Sequence, residues 1–343
     1  MPFEAPAAAL VLRFLLDDPA ADAAAIEWSD VAAVARRDGV EQRLAAALER
    51  RGVSLPERFA DAVSRARDRT ARIVALAARL DEACERQSLP HVFLSLMPHY
   101  PDVGRELDLL LGQTSTATDR VILDQIQAVP GLRRLRSRLA SRTIYPLPEL
   151  GTVLDVRHGR LGRLGEHARF ADLVLRRRRP ARIGPVRCQV PSPEDQLLLQ
   201  ALSQSCGRRS LRVRDAYWTI ATLRATRPDW AALLATAETL GLVAGLSCHL
   251  AYVDQIHELL TGRRLVDADV RARLGPRPWG RVEFRQGSYR FPTARVTGRL
   301  YLAQLRAELA AGDWEGAARL CLLPLIAVPA AWWRLARGGA GGA

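Results

Sequence analysis

Glu106 and Asp108 flank Leu107 at the head of a leucine-rich run, Glu106-Leu107-Asp108-Leu109-Leu110-Leu111. In a strand, residues i and i+2 face the same side, so both carboxylates project together while Leu107 and Leu109 point into a core. Carboxylates held side by side repel, and need either a shared proton or a cation between them. Hard oxygen ligands of this kind suit Mg²⁺, which neutralises the pair and can bridge to substrate phosphates. A third acid, Asp155, interrupts the apolar run Val153-Leu154-Asp155-Val156. Placed on a neighbouring strand, it would complete a three-carboxylate metal centre. Taken alone, the acid-x-acid pattern equally describes two acids at a solvent-facing strand end, and Asp155 an edge or turn residue.

Elements must be found to position these groups. From Asp22 to Cys84 the pattern is helical, with Trp28, Val31, Val34 and Ala35 at 3.6-residue spacing. A second run follows Pro56, and a third, over Arg69 to Arg86, carries Ile73, Leu76, Ala77 and Leu80 on one stripe. The period then shortens. His91 to Met97 is a brief apolar run suited to a buried strand, the turn-rich Pro98 to Gly104 follows, and Arg105 to Leu111 is a second strand. Helical runs at Ala117 to Ala128 and Leu132 to Ala140 precede a third strand, Thr152 to Arg157. Leu173 to Arg176 and Val186 to Val190 read as the arms of a hairpin around a basic loop. Ser192-Pro193-Glu194-Asp195 has the form of a helix start, and Glu194 to Ser205, Arg212 to Ala225, Asp229 to Gly241 and Leu242 to Leu260 form a helical bundle. The stretch from Asp267 to Pro292 is Arg- and Pro-rich, and the rest is helical. The predicted fold class is α+β: a small mixed sheet within residues 87–190, flanked by helical regions at 1–86 and 191–265, with an Arg/Pro-rich segment and C-terminal apolar helix at 266–343.

The order and spacing of several stretches resemble the bacterial nucleotidyltransferases of the DNA polymerase β superfamily, over nearly the whole chain. The matching segments are Ile26–Leu48, the helix ending at Cys84-Glu85-Arg86, YPDVGRELDLLL at Tyr100–Leu111, LDVRHG at Leu154–Gly159, PSPEDQLLLQALSQ at Pro191–Gln204, LRVRDAYWTIATL at Leu211–Leu223 and DWAALLATAETLGL at Asp229–Leu242. The resemblance implies a nucleotidyltransferase core and Mg²⁺-dependent transfer of a nucleoside monophosphate from a nucleoside triphosphate to an acceptor, a small molecule or a protein, that the sequence does not identify. Carried over by position, Glu106 and Asp108 match the two metal ligands of an Asp-x-Asp strand, and Asp155 matches the third carboxylate, which helps activate the acceptor hydroxyl. Ser95 stands in Leu94-Ser95-Leu96-Met97, where family members commonly place a Lys-Gly or Gly-Ser turn that holds the triphosphate. Arg105 is a candidate phosphate contact, its planar fork being suited to oxyanions, or else a solvated turn residue. The chain departs from the family at three places: it lacks that turn, Glu106 replaces Asp, and Arg157-His158 replaces the His-Trp that usually follows the third carboxylate. The alternative these departures raise is a catalytically degenerate member acting as a binding module.

Composition narrows the classes. All 50 Lys+Arg residues of the 343 are Arg, giving a net charge of +13. Without lysine, Schiff-base chemistry and a P-loop lysine are impossible. The charge admits nucleic acid as a partner, but a chain that avoids Lys and Asn while using Ala and Arg heavily carries the mark of a GC-rich genome, so nucleic acid is not favoured. Arg176 to Arg179 could grip phosphates, yet no aromatics are interleaved with them. The five cysteines show neither zinc-ligand spacing nor a CxxC pair. Gly159, Gly162 and Gly165 follow a strand without dinucleotide-fingerprint spacing and read as a flexible basic turn. The N-terminus carries Glu4 where a signal peptide has basic residues, so the expected location is cytoplasmic. The apolar run Leu320 to Trp333 is too short to span a bilayer; it suits a packed helix, or peripheral contact with a membrane surface.

Overall fold

A computed structural model describes residues 6–104, 106–112, 116–126, 140–207, 210–275, 279–285, 288–290 and 292–324. The chain begins with four helices: α1 (Pro6–Leu15), α2 (Trp28–Asp38), α3 (Glu41–Arg50) and α4 (Glu57–Arg86). The two runs expected after Pro56 are one 30-residue helix, since no Gly or Pro interrupts Glu57 to Arg86. Its stripe of Ile73, Leu76, Ala77 and Leu80 is buried against the central sheet.

That sheet contains β1 (His91–Phe93), β2 (Glu106–Leu111), β3 (Arg142–Leu147) and β4 (Thr152–His158), in the order β1-β2-β4-β3. β2 and β4 are parallel; the outer pairs are antiparallel. The expected strand over His91 to Met97 is shorter, because Leu96–His99 turns into a single-turn helix, α5. A helix α6 (Thr116–Ile126) follows β2, and the expected run Leu132 to Ala140 lies almost wholly outside the described residues. β3 was not expected. Pro146 argues against a strand by sequence, but β3 is the sheet edge, where a missing N–H breaks no ladder.

Period-2 alternation divides the sheet. Leu107, Leu109 and Leu111 of β2 and Leu154 and Val156 of β4 pack with the α4 stripe in one core, whereas Leu110 belongs to a second core on the other side, with Phe170 and Val174. Those two residues come from α7 (Ala168–Arg176), which is followed by the hairpin β5 (Arg179–Ile183) and β6 (Val186–Val190). The expected first hairpin arm, Leu173 to Arg176, is thus the end of a helix: Phe170, Ala171, Val174 and Leu175 recur with helical spacing and are buried.

The expected bundle forms as α8 (Pro193–Gly207), α9 (Val213–Ala225), α10 (Trp230–Thr239) and α11 (Val243–Thr261). Between Asp267 and Pro292 lie α12 (Ala268–Arg273) and two short antiparallel strands, β8 (Glu283–Arg285) and β9 (Ser288–Arg290), of which β9 also pairs with β7 (Ser210–Leu211). α13 (Thr293–Ala310) and a helix over 314–324 follow. The apolar run of Leu320 to Trp333 falls outside the described residues from 325 onward. A third core joins α1–α4 to α9 and α11, with Phe14, Leu44, Ile220 and Tyr252 among its buried members. The architecture is α+β, and no described helix is long and apolar enough to cross a membrane.

Candidate active site

The sheet face opposite α4 carries the acids. Asp108 and Asp155 are direct register partners across the parallel β2/β4 pair, so the two side chains rise from neighbouring strands onto the same face. Asp155 is fully buried. Glu106 sits two residues before Asp108, at the exposed start of β2. The structure therefore brings Asp108 and Asp155 together, and leaves Glu106 at the solvent-facing edge of the same face. Ser95 is buried beside them: its hydroxyl accepts the Asp108 amide N–H at 3.4 Å and supports the Asp108 carboxylate. Arg105 lies outside the described residues. His158 is on the other face of β4, three residues from Asp155, with its Nε2 3.4 Å from the Thr143 hydroxyl.

Two arginines complete the constellation. Arg157, two residues beyond Asp155 and therefore on its face, donates from Nη2 to Asp155 Oδ2 at 3.0 Å and to Asp108 Oδ1 at 3.4 Å. Arg142, the register partner of Arg157 on β3, donates from Nε to Asp155 Oδ1. Burial and the adjacent Asp108 charge push the Asp155 carboxyl up to about 6, against the pull of Arg157 and Arg142. Burial opposes ionisation of Asp108 too, but Arg157 and hydrogen bonds from Asp155 and Ser95 hold it below the usual carboxylate range. One acid of the pair is thus proton-prone and its neighbour firmly ionised, the pattern expected of like charges sharing a site.

Asp108, Arg142 and Arg157 form one wall of a cleft of about 260 Å³, and Asp155, held by the two arginines, is buried. Leu94, Ser95 and His99 line one side, and Leu161, Gly162 and Arg163 another. The second loop is shaped by Glu166, buried, whose carboxylate accepts the backbone N–H groups of Arg163 at 3.1 Å and Leu164 at 2.7 Å. Gly162, with φ +97°, lies so close to this carboxylate that a Cβ would overlap it. The Gly-rich turn expected from sequence is thus an ordered wall of the cleft. Across from the sheet, Gln196, Gln200 and Ser203 of α8 and Asp215 of α9 face the cleft. A buried Thr219 hydroxyl, 3.0 Å from Gln200 Oε1, fixes that amide and also meets His249 Nε2 at 3.0 Å. Burial drives His249 down to about 4, so it serves as a neutral imidazole.

Sequence reasoning missed Arg142, Arg163, Gln196, Gln200 and Asp215, and read Arg157 only as a departure from a family pattern. The spacing of Arg157 from Asp155 was a usable signal; the helical residues reach the cleft only through tertiary packing. Separately, on the α4 side of the sheet, Asp81, Glu85 and His91 hold potential ligand atoms within 4.8 Å of one another. Their hydrogen bonds are structural. His91 bridges Asp81 and the Leu89 carbonyl, each at 2.9 Å, and Asp81 and Glu85 accept from the Gln189 backbone and side chain on β6.

Residues 24–257, more than half of the chain, match the sequence profile of a family described as uncharacterised nucleotidyltransferase. The chain belongs to that family. The matched span contains the whole central sheet, Asp108, Asp155, helices α8–α10 and most of α11, so the cleft lies within the nucleotidyltransferase region and a general nucleotidyl-transfer role follows. No curated protein matches this nucleotidyltransferase.

Proposed function

We propose that this nucleotidyltransferase moves a nucleoside monophosphate from a nucleoside triphosphate to an acceptor hydroxyl in an Mg²⁺-dependent reaction in the cleft. The observation that carries this reading is the direct pairing of Asp108 with Asp155 on the cleft face of two parallel strands. The donor set suits the metal: carboxylate oxygens from adjacent strands, with a third carboxylate, Glu106, at the open edge of the same face. Asp108, Asp155 and Glu106 would hold Mg²⁺, which when bound neutralises triphosphate oxygens and stabilises the charge that develops at phosphorus.

The remaining tasks belong to the chain's own side chains. Arg142, Arg157 and Arg163 line the cleft and supply, in a protein without lysine, the cationic groups a triphosphate requires. Asp155, the more basic acid of the pair, takes the acceptor hydroxyl's proton as the acceptor oxygen bonds to the α-phosphorus and pyrophosphate departs. Gln196, Gln200 and Asp215 offer polar groups on the opposite wall for the base or the acceptor. Calorimetric titration with a non-hydrolysable triphosphate analogue tests the reading: binding requires Mg²⁺ in the wild type and is lost in Asp108→Asn. Binding that ignores both Mg²⁺ and Asp108 would overturn it.

One observation favours a second reading, a catalytically silent binding module. Arg157 already bridges Asp108 and Asp155, so the acids have a counter-ion without metal. The same titration separates the two, because a silent module shows no metal-dependent triphosphate binding.

A further inference from the structure

A larger cavity, about 520 Å³, lies on the other side of α5 from the cleft. α5 and its C-cap contribute to both: Pro98 and His99 face the cleft, Met97 and Tyr100 the cavity, and Gln196 borders each. Among the described residues, the charged groups lining the cavity are Arg43, Arg50 and Arg179, with no carboxylate beside them in the lining. Three aromatics, Tyr100, Tyr217 and Trp218, share the lining.

The arginines differ in their commitments. Arg43 is fixed, with Nη1 3.3 Å from Asp102 Oδ2, Nη2 donating to the Pro98 carbonyl at 3.0 Å, and its guanidinium 5.5 Å from the centre of the Tyr217 ring. It lies over that ring and covers one of its faces in a cation–π contact. Arg50 pairs with Asp17 at the surface, both more than half exposed, a contact weak enough to be exchanged for another anion. Arg179 is exposed and, among the described residues, reaches only the Met97 sulfur, at 3.9 Å. Its neighbours in the Arg176–Arg179 run are otherwise engaged: Arg176 with Asp172, Arg177 with Asp195, Arg178 with the Leu175 carbonyl. The aromatics absent from the sequence around that run are therefore supplied in space by α9 and by the residue after α5.

The geometry points to this cavity as a binding site for a nucleotide-type ligand, an aromatic base carrying a phosphate, with Arg179 and Arg50 on the phosphate and the rings of Tyr100, Tyr217 and Trp218 beside the base. Guanidinium groups pair with phosphate oxygens, stacking on aromatic and guanidinium faces tolerates any base, and the +13 net charge draws polyanions toward it. The site is separate from the cleft and does not rest on the catalytic reading.

The test uses the full chain and two probes, AMP and a short 5′-phosphorylated oligoadenylate, followed by calorimetry and by fluorescence anisotropy. Arg179→Ala, at an exposed position, should weaken both roughly tenfold, the loss of one charge-assisted contact. Thr222→Trp, which fills the cavity from α9, should abolish binding, while Arg86→Ala, at an exposed position that lines neither the cavity nor the cleft, should leave it unchanged. Every variant is checked for wild-type folding by circular dichroism. Tighter, more salt-dependent binding of the oligonucleotide than of AMP identifies a nucleic-acid end as the ligand, and equal binding identifies a free nucleotide. Absence of binding by both probes, or binding kept with Arg179→Ala and Thr222→Trp as it is with Arg86→Ala, overturns the inference.

Discussion

Replacing Arg157 by Ala removes a guanidinium that bridges Asp108 and Asp155. Asp155 is fully buried and keeps Arg142, whereas Asp108 loses the cation that most strongly favours its ionised form. Breaking a buried ion pair from one side costs about 3–5 kcal/mol, because the remaining charge stays desolvated. With Arg142 still in place the lower end applies, so Arg157→Ala should destabilise the metal-free protein by about 3 kcal/mol in urea denaturation at neutral pH. Millimolar Mg²⁺ should then restore part of the loss, since a ligand at 100 times its Kd adds about 2.7 kcal/mol. In the wild type, metal must displace a guanidinium that already neutralises the acids, so its increment should be smaller. Two results refute the reasoning: a variant within about 0.5 kcal/mol of wild type, the range of an ordinary surface change, or equal Mg²⁺ increments in the two proteins.

Asp108→Asn, isosteric but uncharged, should leave circular dichroism unchanged and lower nucleotidyl transfer at least 100-fold, on the order of the effect of removing a preorganised electrostatic group; single-turnover kinetics measure it. Gly162→Ala forces a side chain into a left-handed turn against Glu166 and should cost roughly 1 kcal/mol or more, with triphosphate affinity falling as Arg163 shifts; denaturation and calorimetry report the two effects. His249 is held down at about 4 in the fold against 6.5 unfolded, so between those values the unfolded chain binds more protons and stability rises with pH. Its contribution is complete above 6.5 and lost as pH falls toward 4. His249→Gln should flatten that segment of the stability–pH curve relative to wild type.

The acid-bearing strands were legible because an acidic residue breaking a period-2 apolar run leaves few alternatives: Leu107 and Leu109 require one face, and Asp108 then takes the other. Helices α2 and α8–α11 were legible from 3.6-residue apolar spacing and from caps such as Asp229, whose side chain accepts the Ala232 N–H. β3 was hidden by Pro146, a residue that sequence rules remove from strands and an edge position tolerates. The arm of the hairpin was misplaced because Leu173 to Arg176 is apolar over too short a window to show its helical period. For the site, Asp108 and Asp155 followed from local pattern. Arg142, Gln200 and the pairing of Arg179 with Tyr217 and Trp218 around one cavity did not, since each depends on contacts between elements far apart in the chain.

The central claim is that Asp108 and Asp155 act together in nucleotidyl transfer, and triphosphates labelled at either the α- or the γ-phosphorus test it most directly. Incubated with Mg²⁺ and cell extract as the source of acceptor, the wild-type protein should transfer the α-label to a product and release the γ-label as pyrophosphate, while Asp108→Asn and Asp155→Asn do neither. Transfer of the γ-label, or α-label transfer undiminished in both variants, would contradict the account.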